Sequence, residues 1–122
     1  MRLAREAEDT TRPPAVVRVE PCDGATGVFR DTPVTVRLST PVDPRTLNAQ
    51  TLWIQDDDGP VPGRLALCGD ARLVVFEPAR PMRADVWHFV VVSGLADPRG
   101  RRVLPHWSRF IPCDVGREDL AP

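Results

Sequence analysis

The sequence predicts an all-β protein, an antiparallel β-sandwich of about seven strands. Short apolar runs recur between residues 13 and 114, and turn-forming residues close each of them. One run, residues 33–39, alternates strictly between apolar and polar side chains, which is the period of a strand with one buried face. No stretch has the apolar spacing of an amphipathic helix, so a sandwich is favoured over a fold of alternating strands and helices.

The first half of the chain supplies two strands and one helical turn. Residues 15–20 are apolar at most positions and end at Pro21, which predicts the first strand. Residues 23–27 carry two glycines and are expected to form a loop. The alternating run at 33–39 is the second strand, and residues 43–48 are expected to form a single helical turn.

The second half supplies the remaining strands. Asp56-Asp57-Asp58-Gly59 predicts a hairpin turn, because Asp-Gly tolerates the positive φ that such turns require. The run around Trp87 is the longest apolar stretch, so it is expected to be a central strand with Trp87 in the core. The predicted strands of this half are residues 51–55, 61–67, 72–77, 85–93 and 106–111.

Length and charge limit the function classes. The 122 residues are expected to form one domain at 13–114, with polar tails at 1–12 and 115–122. The net charge of −1 gives no basis for binding nucleic acid or an anionic membrane surface. No apolar run approaches the roughly 20 residues of a membrane span. No signal peptide is visible after Met1, so with Met1 as the true start a cytoplasmic protein is expected.

An ordered set of motifs resembles the bacterial Ig-like domains of S-layer and other surface proteins. The set comprises a strand ending at Pro21, Asp23-Gly24-Ala25-Thr26-Gly27-Val28, Pro41-Val42-Asp43, Phe76-x-Pro78 and Gly94-x-x-Asp97-x-x-Gly100. The resemblance implies an Ig-like sandwich without catalytic residues or cofactor, used as a structural subunit, spacer or protein-binding module. It also implies the cell envelope or the extracellular space, if the chain is a mature or excised piece.

The three cysteines raise the question of a bridge or a metal site. No C-x-x-C pair is present, so a zinc site is disfavoured. In the Ig-like topology the first and last strands lie side by side, which implies that Cys22 and Cys113 come within disulfide range at one end. The alternative is unpaired thiols in a reducing compartment. Cys68 is expected far from both, as a free turn thiol or an intermolecular bridge.

Two groups of side chains are candidates for a binding surface. Trp53 and Trp107 are expected to form an exposed patch that contacts a partner protein or, alternatively, a carbohydrate. Three arginines at one hairpin tip form a solvated loop or contact an acidic protein partner; they are Arg99, Arg101 and Arg102. The three aspartates before Gly59 favour a solvated turn over a calcium site, because the ligand spacing of a calcium loop is missing.

Overall fold

The computed structural model describes residues 12–113 and shows two β-sheets packed face to face. The described part has nine strands: β1 Val16–Glu20, β2 Ala25–Val28, β3 Val34–Leu38, β4 Leu52–Asp56, β5 Gly59–Pro60, β6 Gly63–Cys68, β7 Leu73–Pro78, β8 His88–Val92 and β9 His106–Pro112. A 3₁₀ turn covers Pro44–Thr46, within the predicted helical turn. The all-β sandwich is confirmed. Apart from Arg12, the predicted tails lie outside the described residues, as does Asp114.

The strand order positions the two outer faces of the molecule. One sheet has four strands in the order β1-β3-β7-β6, and the other has five in the order β2-β9-β8-β4-β5. Every pair is antiparallel except β2 and β9, which run parallel. Strand β8 lies in the middle of the five-stranded sheet, so the longest apolar run is a central strand as predicted.

The core lies between the sheets and is built by period-two alternation. On β3, Val34, Val36 and Leu38 are buried, and the residues between them are not. On β9, Phe110 is fully buried and its ring stacks on the ring of His88, with 5.6 Å between the centroids. Since inward residues on both sheets alternate with outward ones, the outward residues of the five-stranded sheet form a continuous second face.

Two short strands were not predicted. The predicted loop at residues 23–27 overlaps β2, Ala25–Val28, which pairs with β9 in the registers Ala25↔Phe110 and Val28↔Pro112. Gly59–Pro60 forms β5 by folding back on the end of β4. Both strands are edge strands with few apolar residues, so they lack the hydrophobic pattern by which strands are recognised in a sequence.

Strand β2 also explains why the predicted disulfide is wrong. The Gly24 amide donates to the Arg109 carbonyl, and the Cys113 amide donates to the Val28 carbonyl. Cys22 therefore lies beside the middle of β9, whereas Cys113 follows its end, four residues beyond Arg109. At about 3.3 Å per residue this separation is about 13 Å, well beyond the Cα distance of a disulfide. No disulfide joins these two cysteines in the structure.

Candidate interaction surface

The outer side of the five-stranded sheet carries a cluster of aromatic side chains. Leu52 and Ile54 of β4 point into the core, so Trp53 and Gln55 point outward. Strand pairing places the outward residues in rows: Trp53 is opposite Val91, which is opposite Trp107. The next row is Gln55, Phe89 and Arg109. We call this surface the aromatic face; it consists of Trp53, Gln55, Trp87, Phe89, Val91, Trp107 and Arg109.

Ring contacts hold the aromatic face together. Trp107 is 64% exposed, and its ring lies 6.0 Å from that of Phe89 at an angle of 53°. The Trp53 indole nitrogen donates to the Gln55 side-chain oxygen at 2.6 Å. The Arg109 guanidinium lies 4.1 Å from the centre of the Trp87 ring, a cation–π contact that orders both side chains. The surface is thus apolar in its centre, with hydrogen-bonding groups held at fixed positions.

The predicted tryptophans lie on this face, and a third one joins them. Trp53 is half-buried and Trp107 is exposed, and they belong to the same row of the sheet. Trp87 was expected in the core but is partly exposed on the outer face. The residue that points inward beside it is His88, which is fully buried. Apart from His88, every residue from 86 to 92 is apolar, so the sequence shows no alternation that would tell the inward face from the outward face. Only the unusual burial of this histidine distinguishes the two faces.

The three arginines at the hairpin tip have different surroundings. Asp97, which is 2% exposed, accepts hydrogen bonds from the Arg99 amide and from the Arg101 amide and guanidinium, so Arg101 orders the turn. Burial raises the pKa of Asp97, but the hydrogen bonds from Arg101 outweigh it and hold this pKa below its ordinary value. Arg99 and Arg102 are exposed. The tip is therefore a structured turn with two exposed cations.

The aspartate turn is paired with an arginine. The Arg83 guanidinium contacts the carboxylates of Asp57 and Asp58, which are both exposed. Within residues 12–113, no group of three or more His, Cys, Asp or Glu side chains has an arrangement that would hold a metal ion. The described residues also include no helix long and apolar enough to cross a membrane.

The two packed sheets and their strand order define an Ig-like β-sandwich, and the aromatic face lies on the outer side of its five-stranded sheet. A family model for the bacterial Ig-like domain matches residues 9–108, and the chain belongs to that family. Among curated proteins, none matches this sequence.

Solved structures with the same fold come from several settings. The N-terminal part of the bacterial S-layer protein SbsC superimposes with a TM-score of 0.68 at 18% identity, over 90% of this chain and 26% of that one. CopC from Methylosinus trichosporium OB3b superimposes with a TM-score of 0.66 at 16% identity, over 88% of this chain and 99% of that one. The L,D-transpeptidase from Mycobacterium smegmatis superimposes with a TM-score of 0.59 at 26% identity, over 84% of this chain and 41% of that one. The chain thus spans about a quarter of the S-layer structure and less than half of the transpeptidase.

Proposed function

We propose that this chain is a non-catalytic Ig-like module that binds a partner protein through its aromatic face, as a subunit or spacer in a cell-envelope assembly. The observation that carries the proposal is the row of Trp53, Val91 and Trp107 across three central strands, with Trp107 largely exposed. Tryptophan and arginine are the residues that most often dominate the energy of protein interfaces. A fixed aromatic centre with polar groups at its edge is the usual anatomy of such interfaces.

The family and the fold relatives support the setting. The S-layer protein SbsC and the transpeptidase both contain this fold as a fraction of their length. A rigid sandwich supports such a role because its core fixes the geometry of every outward side chain. The exposed cations of Arg99 and Arg102 lie outside the aromatic face and offer a second contact for an acidic region of the partner.

A carbohydrate-binding accessory module is the second candidate. The same row of Trp53 and Trp107 favours it, because aromatic rings spaced along a flat sheet can stack on successive sugar rings. Gln55 beside Trp53 would supply a hydrogen-bonding amide. Two features favour protein over sugar: the Trp53 ring is half-buried, and the Trp87 ring is covered on one side by Arg109.

Site-specific photocrosslinking in the native host tests the proposal. A photoreactive p-benzoylphenylalanine replaces Trp107 on the aromatic face, and as a control it replaces Ala66, an exposed residue of β6 on the other sheet. We expect a discrete protein adduct at position 107 and none at position 66. A glycan adduct at 107 would support the second candidate instead. Equal adducts at both positions would contradict a specific surface.

A further inference from the structure

Strand β1 is an open edge of the four-stranded sheet and has a distinctive charge pattern. Its residues Arg18, Val19 and Glu20 place a cation, an apolar side chain and an anion in succession. The other edge strands of the described part lack this pattern: β2 and β5 have no charged residue, and β6 has only Arg64. Because edge strands present unpaired backbone groups, they are the places where a further strand can be added.

The backbone of Val19 is directed toward this open edge. The Leu38 amide donates to the Arg72 carbonyl, so every second residue of β3, including Val36, turns its backbone groups toward β7. Val19 is opposite Val36 in the pairing of β1 with β3. In an antiparallel pair of this kind both residues point their N–H and C=O groups away from each other. The two groups of Val19 therefore point away from β3, to the side where no strand of the sheet follows.

Space for a further strand lies along the same edge. A groove of about 370 Å³ is lined by all five residues of β1 on one side and by His106 and Ser108 of β9 on the other. We call it the β1 groove. Val17, which lines it, is 59% exposed. A strand paired with β1 would lie about 4.8 Å from it, over the groove, and would cover apolar surface that is now open to water.

The two charged side chains next to Val19 make the edge complementary to itself. The Arg18 guanidinium donates to the Glu20 carboxylate at 2.9 Å, and the side chains are 71% and 52% exposed. A guanidinium has five donors and a carboxylate has about four acceptor sites, so this pair can accept further partners. In an antiparallel pair centred on Val19 of two copies, Arg18 of each copy is directly opposite Glu20 of the other.

We propose that the chain forms a twofold dimer in which the β1 strands of two copies pair antiparallel about Val19. The two Val19 residues exchange a pair of backbone hydrogen bonds, and Arg18 and Glu20 form opposite-charge pairs across the axis. The four-stranded sheets join into one sheet, and the Val19 side chain of each copy lies over the groove of the other. This contact uses the four-stranded sheets, so it does not rest on the aromatic face or on the proposed function.

The paired segment is short, which makes the dimer reversible with concentration. On one side of Val19 a bulge between Val16 and Arg18 interrupts the strand. On the other side Pro21 has no N–H to donate. Because the charged pairs are exposed, we expect dimerisation to weaken as salt is added.

Charge reversal tests the pairing, with sedimentation equilibrium of the whole protein as the measurement. Arg18→Glu and Glu20→Arg each place like charges opposite one another, and each should raise the dimer dissociation constant at least tenfold. The double variant restores opposite charges and should dimerise like the wild type. An equimolar mixture of the two single variants should form a mixed dimer, because one copy then supplies two carboxylates and the other supplies two guanidinium groups.

Arg64→Glu is the matched control, since it makes the same charge change at an exposed arginine that pairs with Glu77 on another edge of the sheet. It should leave the dissociation constant unchanged. A wild type that is monomeric at every concentration would overturn the inference. Equal weakening by Arg64→Glu and Arg18→Glu would do the same, as would a mixture that associates no better than its components.

A photoreactive p-benzoylphenylalanine at Val17 decides the matter even if the charge variants do not fold. An adduct of twice the chain mass in the native host supports the dimer. An adduct with a different protein would assign the edge to that protein and overturn the inference, as would the absence of a self-adduct. Failure here together with a protein crosslink at Trp107 would remove the dimer and leave the proposed function standing.

Discussion

Replacing Trp107 with alanine should remove the main contact of the aromatic face and leave the fold intact. A tryptophan buries roughly 150–250 Å² when fully packed. Trp107 is 64% exposed, so about a third of that area is buried in the free protein. At ~25 cal/mol per Å² the loss of unfolding free energy is about 1.5–2 kcal/mol, and this is an upper estimate. Phe110 lies on the same strand but is fully buried, so replacing it with alanine should lower the free energy of unfolding by about 3–5 kcal/mol.

Urea denaturation followed by far-UV circular dichroism measures both losses, because this signal does not depend on a tryptophan. The midpoint for Trp107→Ala should fall with an unchanged slope, and that for Phe110→Ala should fall about twice as far. Yield of the crosslinked partner, with the photoreactive residue moved to Phe89, should drop at least tenfold in Trp107→Ala. An equal stability loss for the two variants would refute the reasoning, because Trp107 would then belong to the core.

Three further predictions concern the sandwich itself. Gly63→Ala should lower the free energy of unfolding by about 1–3 kcal/mol, because the new Cβ would lie 2.6 Å from the Glu77 carbonyl oxygen. Urea denaturation measures this loss, and an unchanged stability would contradict the tight approach of β6 and β7. Asp97→Asn should lower the free energy of unfolding by about 1–3 kcal/mol at neutral pH. Since the folded-state pKa of Asp97 is lowered, its stabilisation is present above about pH 4 and is lost as pH falls through the folded pKa, so the wild type should lose more stability on acidification than the variant. Alkylation of the denatured, non-reduced protein should add one group to each of the three cysteines, as measured by mass. Addition of only one group would show that two of the cysteines are joined by a disulfide, at least one of them Cys22 or Cys113.

Residues with a clear period of two could be placed from the sequence. The alternation of Val34, Val36 and Leu38 fixes which side of β3 is buried, because a shift of one residue would expose all three side chains. The turn chemistry of Asp-Gly at Asp58-Gly59 fixes the end of the β4 hairpin in the same way. These local signals, repeated along the chain, are sufficient to predict a sandwich.

The candidate site depends on information that is not local. The row of Trp53, Val91 and Trp107 exists because β4, β8 and β9 are neighbours in one register. The residues of a single strand do not show which strands will lie beside it. The burial of His88 reverses the orientation of Trp87, since a histidine is expected to point outward from an apolar strand. The position of Cys22 depends on β2, whose residues carry no strand pattern but pair with β9.

Amide hydrogen exchange of the protein alone and in its crosslink-identified complex tests the central claim most directly. The aromatic face predicts slower exchange on partner binding at Leu52–Asp56, His88–Val92 and His106–Pro112, and no change at Gly63–Cys68 on the opposite sheet. Protection confined to the four-stranded sheet, or no protection at all, would contradict the claim that the aromatic face is the binding surface.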